Sequence, residues 1–222
     1  MINIQNLLFH YQQGDFQLEI PEFKLESGEK VAVIGPSGSG KTTLLNIIAG
    51  IVKPEQGQIN VNEVSVNELS DAQRRDFRIT QIGFVFQDFQ LLDYLTVFDN
   101  ILHTYRITHA LKLTNTVRDR AVKLAQDMKI GNKLQRYANE LSQGEQQRAA
   151  ICRALLSQPR LILADEATGN LDPRNKGYIL DSLFESVEQQ GASLLAVTHD
   201  HDLLPRFDRV LDFAGFRNEA MM

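Results

Sequence analysis

The chain has 222 residues, 43% of them hydrophobic and 23% charged, which is typical of a folded globular protein and excludes a disordered or collagen-like chain. The single cysteine, Cys152, has no partner within the chain, so a disulfide scaffold is excluded and a reducing compartment is expected. The 23 basic and 28 acidic residues give a net charge of -5, the wrong sign for a protein that coats nucleic acid, and we expect no nucleic-acid partner.

The N-terminal part of the chain predicts a small antiparallel β layer. Residues 2–11 and 16–26 alternate apolar and polar side chains on either side of a Gly-Asp pair, and residues 57–66 do the same. The N-terminus lacks the basic start and apolar block of a secretory signal. The most apolar stretch, 31–52, is interrupted by lysine, glycine, serine and proline, so it predicts no membrane span and any membrane role requires a partner.

Short apolar segments further along predict a parallel α/β core. Their β-branched residues are typical of strands covered on both faces. The segments are KVAVIG, QIGFVFQ, LILADE and SLLAVTH. Between the second and the third, helical spacing appears near 96–108, 114–129 and 142–157. We therefore expect a single domain, 1–222, with the core and β layer in about 1–87 and 160–222 and a helical subdomain in about 88–159.

A glycine-rich motif follows the first core strand and precedes an apolar helical run. It is Gly35-Pro36-Ser37-Gly38-Ser39-Gly40-Lys41-Thr42, which fits the pattern GxxxxGK[ST]. The glycines allow backbone amides to point inward, Lys41 reaches the β- and γ-phosphates, and Thr42 can ligate magnesium. Together with Thr43, the motif predicts a P-loop site for a nucleoside triphosphate. The structural alternative is a glycine-rich turn into an ordinary helix.

Two acids, Asp165 and Glu166, end the apolar strand LILADE. In P-loop proteins such a strand brings a carboxylate to the magnesium ion, which makes Asp165 the candidate metal ligand. Glu166 would then orient and deprotonate the attacking water as a general base. Acids are also common at strand ends without any function, so this assignment depends on the phosphate loop.

The segment LSQGEQQR, residues 141–148, opens a predicted helix, and Ser142 and Glu145 fit a capping box. At this point the chain resembles the nucleotide-binding subunits of ATP-binding cassette (ABC) transporters, whose signature is LSGGQ, and the resemblance covers essentially the whole chain. It implies that this helix start, through Ser142, Gly144 and Glu145, contacts the γ-phosphate of ATP held by a partner subunit. Gln143 and Glu145 depart from the signature. We call residues 141–148 the signature segment.

The resemblance assigns roles to four further residues. It implies that Gln87 contacts magnesium and the attacking water, and that His199 contacts the γ-phosphate. It also implies that Asp172 lies in a loop crossing the dimer interface and that Tyr11 stacks on adenine. The residues alone equally allow a polar strand end, a satisfied histidine, a helix N-cap and half-buried aromatic packing, in the same order. Ala167 stands where the family usually has proline.

The run His199-Asp200-His201-Asp202 allows a second, metal-binding interpretation, because imidazole and carboxylate are suitable zinc ligands. In an extended segment, alternation would put the two histidines on one face and the two aspartates on the other. We therefore do not expect a transition-metal site there.

These assignments predict an ATPase with ATP and Mg²⁺ as cofactors. The resemblance implies a head-to-tail dimer with a second copy, whose closure on ATP drives a separate integral membrane subunit contacted near Phe89–Leu95. It also implies a peripheral location at the cytoplasmic face of the inner membrane. The segments 87–96 and 169–172 are similar to those of the lipoprotein-release, macrolide-efflux and cell-division branch, in which force is passed through the membrane.

The sequence bears differently on three other functions. A regulatory or structural ATPase of a cell-division type membrane complex, which signals without moving cargo, fits the sequence equally well. A small-molecule or nucleotide kinase is disfavoured by the signature segment and its long separation from Lys41. A DNA-repair or chromosome ATPase would need a coiled-coil insertion that a chain of this length cannot hold.

Overall fold

A computed structural model of the chain describes residues 1–11, 16–167 and 173–216. The strands are β1 Ile2–His10, β2 Gln17–Leu25, β3 Lys30–Ile34, β4 Gln56–Val61, β5 Val64–Ser65, β6 Ile82–Val85, β7 Leu161–Asp165, β8 Ser193–Val197 and β9 Arg209–Asp212. The α-helices are α1 Lys41–Ile48, α2 Asp71–Gln81, α3 Val97–Arg106, α4 Asn115–Asp127, α5 Gln143–Leu155 and α6 Pro173–Gln190.

The N-terminal β layer is a four-stranded antiparallel sheet with the order β2-β1-β4-β5. Its alternation is broken once, where the register of β1 against β4 shifts between Gln5 and Leu8 and Asn6 has φ = 50°. Such a bulge moves the inward face by one residue, so Ile4 before it and Leu7 after it both point into the core. The predicted β layer is confirmed, but the single strand predicted over 57–66 is wrong: Asn62 and Glu63, with φ of 50° and 67°, form a turn that divides it into the antiparallel pair β4 and β5.

The second sheet is parallel and has the order β6-β7-β8-β3-β9. Alternate residues of β7 enter different cores: Leu161 and Leu163 pack under the β layer, whereas Ile162 and Ala164 pack against the helices. A sheet covered on both faces explains the continuous apolar runs of the sequence. The α/β fold is therefore as predicted. The edge strand β9 was missed, because it is short and largely exposed.

The helices α3, α4 and α5 lie between β6 and β7 in the chain, where helical spacing predicted them. Each begins at a side chain that caps its first turn: Thr96, Thr114 and Ser142. The sequence analysis missed α2, although Ser70 and Gln73 form a capping box at its start, because Phe77 is its only buried residue. None of the helices that the structure describes is long and apolar enough to cross a membrane.

Candidate active site

The phosphate loop connects β3 to α1, and Gly40 is the N-cap of that helix. Gly40 has φ = 100°, a left-handed conformation that side chains rarely adopt. A Cβ atom at this position would lie 2.9 Å from the Cζ atom of Phe16. The conformation therefore favours glycine here, and a side chain would also displace the Phe16 ring. The helix start has no side-chain cap on its amides.

Lys41 is the first residue of α1 and is only 5% exposed. Its Nζ atom donates hydrogen bonds to the carbonyl oxygens of Gly35, at 2.9 Å, and Pro36, at 2.8 Å. Burial lowers the pKa of the ammonium, and the nearby carboxylates of Glu166 and Asp165 oppose this shift. The ammonium group of Lys41 is thus hydrogen-bonded to neutral carbonyl groups. Charged phosphate oxygens are stronger acceptors and can replace these carbonyls as its hydrogen-bond partners.

The hydroxyl of Ser39 supports a phosphate ligand in this loop. Ser39 is 1% exposed, and its Oγ atom has no hydrogen-bond partner among the described residues. Buried hydroxyl groups are nearly always hydrogen-bonded, so an unpaired one indicates a missing acceptor or donor. A phosphate group beside a helix N-terminus supplies such an acceptor, and the loop fits it.

Asp165 ends β7 and is 5% exposed. Burial raises the pKa of its carboxyl group, and Glu166 and Asp88 add to the shift, while a hydrogen bond with Thr42 and the charge of Lys41 oppose it. The hydroxyl of Thr42 and the carboxylate of Asp165 are hard oxygen ligands side by side, the donor type that Mg²⁺ prefers. The residues present therefore fit a magnesium ion beside the phosphate loop.

Glu166 follows β7 in a left-handed conformation, φ = 47°, and its backbone amide donates to the carbonyl oxygen of Val197, at 3.0 Å. Its Oε1 atom lies 2.7 Å from Nε2 of His199, and its Oε2 atom accepts a hydrogen bond from Nε2 of Gln87, at 3.4 Å. Strained backbone of this kind is typical of functional sites. The adjacent strands β6, β7 and β8 thus bring the three predicted side chains together at their carboxyl ends.

Lys41, Gln87, Glu166 and His199 line one cleft of about 480 Å³. Its lining is Tyr11, Phe16, Ser37, Gly38, Gly40, Lys41, Thr42, Thr43, Gln87, Glu166 and His199. The hydroxyl group of Tyr11 lies 3.1 Å from Oγ1 of Thr43. The ring of Phe16 lies 5.6 Å from that of Tyr11, and the sequence analysis missed it. His10 pairs with Gln17 across the hairpin formed by β1 and β2. Extending this pairing by one residue puts Tyr11 opposite Phe16, so the hairpin pattern could have indicated that the two aromatic residues face each other.

The signature segment lies elsewhere. The hydroxyl of Ser142 accepts a hydrogen bond from the amide of Glu145, at 3.4 Å, and the Glu145 carboxylate accepts one from the amide of Ser142, at 2.9 Å. The predicted capping box is thus present. Glu145 also pairs with Lys133 at 3.0 Å. Burial opposes ionisation of Glu145, but the Ser142 and Lys133 contacts outweigh it and lower the carboxyl pKa.

In the part of the chain that the structure describes, Ser142, Gly144 and Glu145 do not line the cleft that holds Lys41. Asp172 lies outside the described residues. The structure therefore brings together one set of the predicted site residues and leaves the signature segment on a separate, exposed surface.

The described residues contain no group of three or more His, Cys, Asp or Glu side chains able to hold a metal ion. The assumption of an extended segment after His199 was wrong, because Asp200 caps a 3₁₀ helix that spans His201–Arg206. Asp200 accepts a hydrogen bond from the amide of Asp202, at 3.1 Å.

A phosphate loop between a parallel strand and a helix, with two acids at the end of β7 in the same sheet, defines a P-loop nucleotide hydrolase. Within that class the chain can be placed further. Residues 18–169 match the ABC transporter family model, and the chain belongs to this family.

Similar proteins agree with this family. The chain is 38% identical to an uncharacterized ABC transporter ATP-binding protein of Mycobacterium tuberculosis, over 98% of this chain and 88% of that protein. It is 39% identical to the macrolide export ATP-binding/permease protein MacB of Rhodopirellula baltica, over 95% of this chain but 31% of MacB. Its fold resembles the ATP-binding cassette MJ0796, a dimer bound to ADP and Pi, with a TM-score of 0.86 and 32% identity over 96% of this chain and 94% of that one.

The predicted family, the P-loop α/β fold and the ATPase activity are confirmed by these similarities. The chain is an ABC transporter ATP-binding subunit, and its nucleotide is ATP.

Proposed function

We propose that two copies of this chain bind ATP head to tail, each nucleotide lying between the phosphate loop of one copy and the signature segment of the other. The observation that carries the proposal is the separation of these two features on one chain. Lys41 and Glu166 line one cleft, whereas Ser142 caps the exposed start of α5 outside it. A second copy can supply the helix start that the cleft lacks, since helix N-termini favour anions. MJ0796, at 32% identity, is described as a dimer bound to ADP and Pi.

Within each cleft, the residues suit hydrolysis of the γ-phosphate. Lys41 leaves the loop carbonyls to contact the β- and γ-phosphates, and Thr42 and Asp165 hold the magnesium ion. When bound, that ion neutralises charge on the phosphate oxygens. The base is Glu166, whose carboxylate is oriented from two sides by Gln87 and His199. Such an arrangement fixes the carboxylate before the attacking water arrives.

The adenine ring and the interface between the two copies are assigned to two further residues. Tyr11 supports the adenine ring, and its hydroxyl contact with Thr43 ties that aromatic to the phosphate-binding helix. Asp172 is proposed to reach the interface between the two copies.

A membrane subunit is the proposed partner that receives the motion of the dimer. The surface near Phe89–Leu95 is the proposed contact, and within it Tyr94 is 73% exposed. A groove of about 140 Å³ is lined by apolar side chains, among them Phe84 and Phe86, and by Arg153, which donates to the carbonyls of Phe89 and Gln90. A partly apolar groove of this kind suits a short amphipathic helix. The name of MacB joins an ATP-binding protein to a permease, and we propose that this chain works peripherally, on the cytoplasmic face of the membrane.

Sizing by light scattering tests the dimer. Glu166→Gln should keep ATP and accumulate as a dimer when ATP and magnesium are present, because hydrolysis no longer opens it. Without nucleotide the same variant should be a monomer. Adding Ser142→Arg to Glu166→Gln provides the matched control, which should bind ATP and stay monomeric. An equal dimer fraction with and without Ser142→Arg would contradict the proposed interface.

A further inference from the structure

Helix α5 carries a second functional feature, in its last turn. The guanidinium group of Arg153 donates hydrogen bonds to two consecutive backbone carbonyls, from Nη2 to Phe89 and from Nη1 to Gln90, each at 2.5 Å. These carbonyls lie two and three residues after Gln87. The helix that begins with the signature segment is therefore attached, at its other end, to the backbone that follows a site residue.

The backbone that Arg153 holds has an unusual conformation. Phe89 has φ = 57° and Gln90 has φ = 50°, so two consecutive residues with side chains adopt the left-handed region. Each such residue is strained, and a pair persists only where the surroundings impose it. The Phe89 side chain is 8% exposed, and its amide donates to the carbonyl oxygen of Phe86, at 3.1 Å. Arg153 and the buried ring thus fix this turn from both sides.

We infer that Arg153 is a positioning residue that fixes the turn after Gln87, and so aligns the Gln87 amide with the Glu166 carboxylate. The inference rests on the role proposed above for Gln87. It also gives the turn a mechanical link to the signature segment, because α5 is one helix from Gln143 to Leu155. A helix of this length spans roughly 20 Å and connects the two features through continuous backbone hydrogen bonds.

The chemistry of arginine suits this role. Burial lowers the pKa of Arg153 to about 10, so the group remains a cation at neutral pH. The planar guanidinium presents several N–H donors in a fixed fork and can hold two adjacent carbonyls at once, whereas a lysine is a flexible point charge. Arg153→Lys therefore keeps the charge and most of the packing, but loses the two-pronged contact.

Steady-state ATPase measurements with Arg153→Lys, Gln87→Ala and the double variant test the inference. Arg153→Lys should lower kcat about tenfold, the loss expected from one or two charge-assisted hydrogen bonds, while KM for ATP changes less than about twofold. In the Gln87→Ala background, Arg153→Lys should cause no further loss of kcat, because the residue acts through Gln87. Melting temperatures identify any variant whose fold is disturbed.

Arg120 provides a matched control, since its Nη1 atom donates to the carbonyl oxygen of Leu156, at 3.2 Å, just beyond the end of α5. Arg120→Lys removes a similar contact away from Gln87 and should leave kcat within about twofold of the wild type. Equal losses of kcat in Arg120→Lys and Arg153→Lys would show a general packing effect and overturn the inference.

Two further outcomes distinguish this inference from the proposed function. If Gln87→Ala lowers kcat but Arg153→Lys does not, or if the two losses multiply in the double variant, the positioning role is wrong and the role of Gln87 stands. If Gln87→Ala alone retains wild-type kcat, the role proposed for Gln87 fails and the inference fails with it.

Discussion

The starts of α1 and α5 are both helix N-termini, but they differ in what satisfies their backbone amides. Gly40 offers α1 no side-chain cap, and a buried lysine and two acids surround the free amides. At the start of α5, the capping box of Ser142 and Glu145 occupies the backbone amides of these two residues. The positive end of a helix therefore forms a complete nucleotide site only where charged and reactive side chains surround it. The start of α5 lacks such side chains, so we expect it to act on ATP that is bound in the cleft of another copy.

Glu166→Gln should have the largest effect, because it removes the proposed base and leaves the shape of the cleft intact. We expect turnover to fall by roughly 100-fold or more with ATP binding retained. ATP hydrolysis under saturating nucleotide and a separate nucleotide titration measure the two effects. Glu185→Gln, an exposed change on α6, is the control. Wild-type turnover in Glu166→Gln would remove this residue from catalysis and leave the cleft without its base.

Lys41→Ala tests whether the start of α1 binds the phosphates of ATP. Its ammonium should contribute charge-assisted hydrogen bonds to the terminal phosphates, so ATP affinity should fall by about 10- to 100-fold. The fold should be retained, because the lysine is bonded only to loop carbonyls among its described contacts. Nucleotide titration with circular dichroism checks both parts, with the exposed Lys53→Ala as control. Normal affinity in folded Lys41→Ala would exclude the loop as the phosphate site.

Asp165→Asn tests the electrostatic cost of the cleft. Burial raises the pKa of Asp165, so its ionised form destabilises the folded protein at every pH above its folded pKa, and this cost disappears as pH falls below the ordinary aspartate value. The neutral amide should therefore raise the melting temperature at pH 7 by about 2 to 4 °C without nucleotide, the shift that roughly 1 kcal/mol causes in a domain of this size. It should also weaken the magnesium-dependent part of ATP binding.

Differential scanning calorimetry at pH 7 and pH 5 measures this gain. The gain should be smaller at the lower pH, because the raised pKa favours protonation of the wild-type carboxyl group as the pH falls. A melting temperature that falls at both pH values would show that the carboxylate stabilises the apo cleft, against the burial argument.

Ser142→Ala should have the smallest effect on the folded monomer. Loss of an N-cap typically costs 0.5 to 1 kcal/mol at an exposed helix, so the melting temperature should fall by about 2 °C. ATP affinity of the monomer should be unchanged, because Ser142 lies outside the cleft in the described structure. A parallel decrease in monomer affinity, measured by titration, would instead place the signature segment in the same chain's nucleotide site.

The sequence predicted the features that depend on local pattern. Three features are encoded within a few consecutive residues, so their geometry can be predicted from the sequence. They are the glycine spacing of the phosphate loop, the acids after a buried strand, and the capping box of Ser142 and Glu145. The missed features depend on contacts between distant segments. Phe16 enters the cleft through hairpin pairing, and Arg153 reaches Phe89 only after α5 packs beside β6. Helix α2 is mostly polar and β9 has only four residues, so neither has enough apolar residues to show a recognisable hydrophobic periodicity.

Mixing Lys41→Ala protein with Ser142→Arg protein shows whether one chain carries two complementary half-sites. Each variant alone should be inactive, because every site in its homodimer has one defect. A mixed dimer has one site with both defects and one with neither, so ATPase activity should reappear on mixing and depend on the ratio of the two variants. Full activity of Ser142→Arg alone would contradict the claim, since the start of α5 would then be only a capped helix.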